Sequence, residues 1–73
     1  MTHPTPPPLS RREYEIARLV AAGLTNDQIA VVAYIEPQTV KNHLTSAFRK
    51  LRLSGFGNRR VRLADWVHEH EEG

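Results

Sequence analysis

The sequence predicts an all-α domain of four helices behind a proline-rich lead, and three observations carry that expectation. Apolar residues recur at helical spacing, with no run that alternates at period two. The same start signal, a capping residue followed three positions later by Glu or Gln, appears twice. Residues 1–8 hold four of the five prolines and no core-forming side chain, which predicts a disordered or polyproline-like tail before a folded unit at 9–73.

The first helix begins at "LSRREY". Ser10 accepts from the Glu13 amide, Glu13 reaches back, and Leu9 packs on Tyr14 as a hydrophobic staple. The helix runs from Arg11 to Ala22 with Ile16, Leu19 and Val20 inward, and Gly23 supplies a left-handed stop. In "LTNDQI" the grammar repeats. Thr25 caps, Gln28 closes the box, Leu24 and Ile29 form the staple, and a short second helix reaches about Ala33. In "IEPQTV" Glu36 stands at the cap, Pro37 takes the first helical position, and Ile35 and Val40 are the staple. This third helix places Val40, Leu44, Ala47, Phe48 and Leu51 on one stripe, and its opposite face carries Gln38, Lys41, Asn42, Thr45, Arg49 and Arg52. "LSGFGN" ends it, with Phe56 expected to plug the loop into the core. A fourth helix spans about 60–70, with Leu63, Ala64 and Val67 on one side and Trp66 beside them.

Length and composition bound what such a chain can be. Its 73 residues form one small domain without a cysteine, so no disulfide or thiolate zinc site holds it together, and a reducing, cytoplasmic setting follows. No apolar run approaches the ~18 residues of a membrane span, and the start has neither the basic nor the apolar part of a signal peptide, so no membrane partner is expected. The net charge of +2 hides a segregation. Residues 1–36 sum to −1 and residues 65–73 to −4, whereas 37–64 carry Lys41, Arg49, Lys50, Arg52, Arg59, Arg60 and Arg62 with no acid. A block of that kind is the footprint of a surface that meets phosphates.

Two helices joined through Tyr34, Ile35 and Glu36, the second with a polar and basic face, make a helix-turn-helix at about 25–51. Lysine donates to guanine O6 and N7, asparagine pairs with adenine, and threonine offers a hydroxyl or methyl in the major groove. Lys41, Asn42 and Thr45, with Gln38 beside them, lie on the N-terminal half of the third helix and are the expected base readers. Arg49, Lys50 and Arg52 lie where the helix leaves the groove and suit phosphates. Asn26 and Thr39, in the first turns of their helices, add neutral phosphate hydrogen bonds, and His43 is a further phosphate contact or a packing histidine.

Residues 9–53 resemble, without a gap, the LuxR/GerE-type helix-turn-helix domain of bacterial transcription regulators. The residues that carry the likeness are Arg12-Glu13, Gly23, Asn26, Ile29-Ala30, Thr39-Val40-Lys41, His43 and Lys50-Leu51. The resemblance implies a four-helix domain that reads double-stranded DNA through Lys41, Asn42 and Thr45, in a bacterial regulator that is nucleoid-associated when bound and has RNA polymerase as a further partner. It also implies that the fourth helix supplies a dimer contact in a weak homodimer. Leu63 and Trp66 also read as core, but Leu63, Trp66 and Val67 cannot all face inward at once, so these three are the candidates and at least one is left for a partner. Glu36 stands where the family has serine, Ala33 where it has leucine, and the link before the fourth helix is longer than the family's, with Arg60 on the family arginine. The initial methionine and the lack of any receiver or ligand-binding segment leave a stand-alone regulator and an excised output domain as the two expectations.

Two other functions compete. A promoter-reading domain of a sigma factor shares the helix grammar but not "TVKNH". A protein-binding adaptor that has lost DNA binding would account for the altered loop and the acidic end, which could also fold over the basic face. No nucleophile, base and orienting group can be assembled, and no Gly-rich phosphate loop occurs, so neither an enzyme nor a cofactor is expected. His68 and His70 diverge on a helix, so no metal site is expected either.

Overall fold

The computed structural model describes residues 5–53 and 58–72, and within them four helices: α1 (Arg11–Ala21), α2 (Asn26–Ala33), α3 (Pro37–Lys50) and α4 (Arg59–Glu72). No strand occurs among the described residues, and no helix among them is long and apolar enough to cross a membrane. Residues 1–4 of the expected tail and Phe56 of the expected plug lie outside the described residues. Thr5 to Pro8 form a non-helical lead, tied by the Leu9 N–H to the Pro6 carbonyl at 3.3 Å.

Both predicted capping boxes are present. Ser10 accepts from the Glu13 amide and Thr25 from the Gln28 amide, with Glu13 and Gln28 each accepting from the cap's own N–H. Glu36 makes no side-chain cap hydrogen bond, so α3 begins on Pro37 alone. The first three helices end alike, with paired backbone hydrogen bonds that satisfy the last carbonyls around one residue of positive φ. At the end of α1 that residue is Gly23 (φ 95°), but Tyr34 (58°) and Arg52 (57°) hold the same region without a glycine. α4 runs to Glu72, about two residues past the expected end.

The core joins all four helices. Leu9, Tyr14, Ile16, Ala17 and Val20 from α1 and its lead meet Ile29 and Ala30 of α2, Val40, Leu44, Ala47 and Phe48 of α3, and Leu63 and Val67 of α4. Leu19 and Ala64, expected inward, are only half-buried, whereas Tyr14 is buried. α4 lies along α1, where Trp66 meets Tyr14 edge-on at 6.1 Å and stacks on His70 at 4.2 Å. Glu71 closes this seam by accepting from Tyr14 Oη at 2.9 Å and pairing with Arg18 Nε at 2.6 Å. This part of the acidic end therefore faces α1 and not the basic surface.

Candidate nucleic-acid interface

The dipeptide Arg12-Glu13 on α1 positions the two helices of the helix-turn-helix. Arg12 Nη2 donates to the Ala33 carbonyl at 2.8 Å and so satisfies the C-terminal end of α2. Glu13, only 6% exposed, accepts from the Ser10 N–H at 2.8 Å, from Ser46 Oγ at 2.6 Å and from Lys50 Nζ at 2.8 Å. Burial pushes this carboxyl up. The Lys50 ammonium, the Ser10 amide and the Ser46 and Ser10 hydroxyls outweigh burial and hold its pKa at about 2. One carboxylate thus joins the start of α1 to the last turn of α3.

On α3, Gln38, Lys41, Asn42, Thr45 and Arg49 are exposed, as is Arg52 just beyond its end. At 3.6 residues per turn the five helical residues fall within an arc of about 100°, so they form one face, while Arg52 follows in the left-handed turn that ends the helix. Gln38 Nε2 donates to Asn42 Oδ1 at 3.1 Å, which pre-orders two of the expected base readers on the surface. Thr39 and His43 are half-buried on the flank of that face, the side that also carries Ser46 and Lys50 toward α1.

Six of the seven cations of the acid-free block divide by what they touch. Lys50 is paired with Glu13. Arg60 donates to Asn26 Oδ1 at 2.6 Å and to the Leu24 carbonyl at 2.9 Å, tying α4 to the start of α2. The Arg59 guanidinium lies 4.8 Å from the centre of the Phe48 ring. Lys41, Arg49 and Arg52 have no ion pair among the described residues and project from α3 and its end. The sequence reading found the Glu13 contact with Ser10 but missed those with Ser46 and Lys50, and it missed the contacts of Arg60. Lys50 and Ser46 lie one above the other at helical spacing, which is the signal that a third group meets both.

Leu63 and Val67, expected at a dimer contact, are 0% and 1% exposed inside the domain's own core. Trp66 is half-buried against Tyr14, and the apolar side chain that α4 leaves open is Val61, at 59% exposure.

A family described as bacterial regulatory proteins, luxR family (GerE), matches residues 7–66 of this four-helix unit. The chain belongs to that family. It is similar to an HTH-type transcriptional regulator of Mycobacterium bovis, Mb0914c, with 40% identity over 57 residues that cover 78% of this chain and 6% of the relative. A Mycobacterium tuberculosis relative, Rv0890c, gives the same identity and coverage. The HTH-type transcriptional regulator MalT of Yersinia enterocolitica is 35% identical over 57 residues, covering 70% of this chain and 6% of MalT. The chain therefore spans a small fraction of the length of these relatives. No solved structure matches it. Family membership makes the unit a DNA-binding domain of transcription regulation.

Proposed function

We propose that the domain binds double-stranded DNA by laying α3 in the major groove, with Lys41, Asn42, Thr45 and Gln38 toward base edges and Arg49 and Arg52 on the backbone. The observation that carries this reading is the polar face of α3, on which Lys41 and Arg49 are exposed with no ion pair among the described residues. A solvated face that served only solubility would be expected to mix signs along the helix, and this one carries no acid from Pro37 to Lys50. Asn26, Thr39 and His43 add hydrogen bonds to phosphates at its flank, and Lys50 does so only to the extent that Glu13 releases it. In this reading the regulator acts as a dimer on two half-sites, RNA polymerase is a further partner, and the protein works in the bacterial cytoplasm without catalysing a reaction.

Selection of binding sites from random duplexes, followed by titration of the best site and of a random sequence, tests the assignment. Lys41→Ala and Asn42→Ala should remain folded, weaken the selected site by about 1–3 kcal/mol, and weaken random DNA by less. Equal losses on both would make these side chains backbone contacts and leave base reading to other residues.

A further inference from the structure

Arg60 stands outside the DNA-contacting set, yet its guanidinium reaches back to the first turn of α2. It donates through Nη1 to Asn26 Oδ1 at 2.6 Å and through Nη2 to the Leu24 carbonyl at 2.9 Å. Because a guanidinium only donates, the atom of Asn26 that it holds must be the carbonyl oxygen. The Asn26 Nδ2 group is thereby turned away from α4. It makes no hydrogen bond among the described residues and is not a buried unsatisfied atom, so it reaches solvent. Asn26 is not needed to cap α2, since Thr25 and Gln28 already form a complete box there.

We propose that Arg60 is a positioning residue for DNA binding: it fixes the Asn26 amide with its Nδ2 donor presented to a backbone phosphate beside the start of α2. The inference rests on the DNA-binding reading above, and it gives α4 a part in contacting DNA through α2. Without Arg60 the Asn26 amide is free to turn, and its carbonyl oxygen, which would repel a phosphate, faces outward part of the time. The Leu24 carbonyl bond matters as well, because two acceptors fix the guanidinium plane that one acceptor would leave free to swing.

Salt titration separates positioning from direct contact. Each phosphate neutralised by a cation adds about −0.9 to the slope of log affinity against log salt, and a neutral amide adds nothing. On a duplex that binds the parent domain, Asn26→Ala should lower affinity about tenfold, as expected for one hydrogen bond to a charged group, with the slope unchanged. Arg60→Met should give a smaller loss, about two- to fivefold, with the same unchanged slope, and the double variant should lose no more than Asn26→Ala alone. In the free domain, Arg60→Met should also move the Asn26 side-chain amide resonances toward those of a solvated asparagine. Where Arg60→Met fails to fold, Arg60→Lys carries the same comparison, since a single ammonium cannot copy the two-pronged contact. Asn26→Asp, which keeps the Arg60 partner but removes the donor, should fold and bind worse than Asn26→Ala.

A slope made shallower by about 0.9 in the Arg60 variants would mean that Arg60 itself touches phosphate, and additive losses would mean that it acts independently of Asn26. Either result overturns the proposal. A parent domain that binds DNA with a steep salt slope while Asn26→Ala binds equally well leaves the DNA reading standing and removes this inference. A parent domain with no salt-dependent binding removes both.

Discussion

The Lys50 ammonium sits 2.8 Å from the Glu13 carboxylate, so the last turn of α3 is held by the first turn of α1. The pair is asymmetric. Glu13 is buried with Ser10 and Ser46 completing its shell, while the Lys50 side chain keeps 36% of its surface in solvent. The carboxylate is therefore the member that suffers when the contact breaks, because the ammonium can hydrate and the buried oxygens cannot.

The Glu13 contribution to stability should depend on pH in a defined window. Its pKa is lowered from 4.5 to about 2 on folding, so the contribution is full above about pH 4.5 and is lost as pH falls through about 2. Glu13→Gln should lower stability by about 2–3 kcal/mol at pH 7, and the gap between variant and parent should close near pH 2. Urea unfolding across that range checks it. A gap that stays constant with pH would assign the effect to packing.

Neighbouring cations at the end of α3 should part company when each is removed. Arg49→Ala should leave stability within about 0.5 kcal/mol of the parent and make the salt slope of DNA binding shallower by about 0.9. Lys50→Met should do the reverse, lowering stability because Glu13 stays buried without its partner and leaving the slope nearly unchanged. With Lys41, Arg49 and Arg52 as the available charges, the parent slope should be near −2.5 to −3. Equal slope changes for both variants would return Lys50 to the phosphate contacts.

The fourth helix should separate into an inner and an outer face. Leu63→Ala removes a side chain that is 0% exposed and should cost about 2–5 kcal/mol in the isolated domain. Val61→Glu should leave stability within about 0.5 kcal/mol but reduce the amount of two-to-one complex on a duplex whose half-sites lie about 10 bp apart. Sedimentation of both complexes reads the outcome. Two copies bound equally well by the Val61 variant would move the dimer contact off this face, and one copy at saturation would remove it.

Helix positions were legible in the sequence because capping and periodicity are local. Ser10, Thr25 and Pro37 mark starts within one turn, and Gly23 marks a stop. Tyr34 and Arg52 were opaque as left-handed stops, because that conformation is imposed there by the fold against the preference of the side chain. The polar face of α3 could be read from spacing, but the number of charges on it that remain available could not. Lys50 and Arg49 are neighbours in sequence and differ only in which helix comes alongside, a fact of tertiary packing. The same holds for Arg60, whose acceptors lie 34 and 36 residues away. Periodicity put Leu63 and Val67 on the same side of α4 but carried no information on whether that side meets α1 or a second subunit.

The buried glutamate also has a mechanical meaning. The chain enters the domain at Leu9, and the next residue, Ser10, donates its N–H to the carboxylate that grips Lys50. Any pull, twist or fusion applied just upstream of Leu9 therefore bears on the anchor of α3 across a single residue, whereas a load at the far end of α4 must pass through the Glu71 and Trp66 seam first. A tag or partner domain joined without a slack linker at the front of this unit would be the more disruptive of the two fusions for DNA reading.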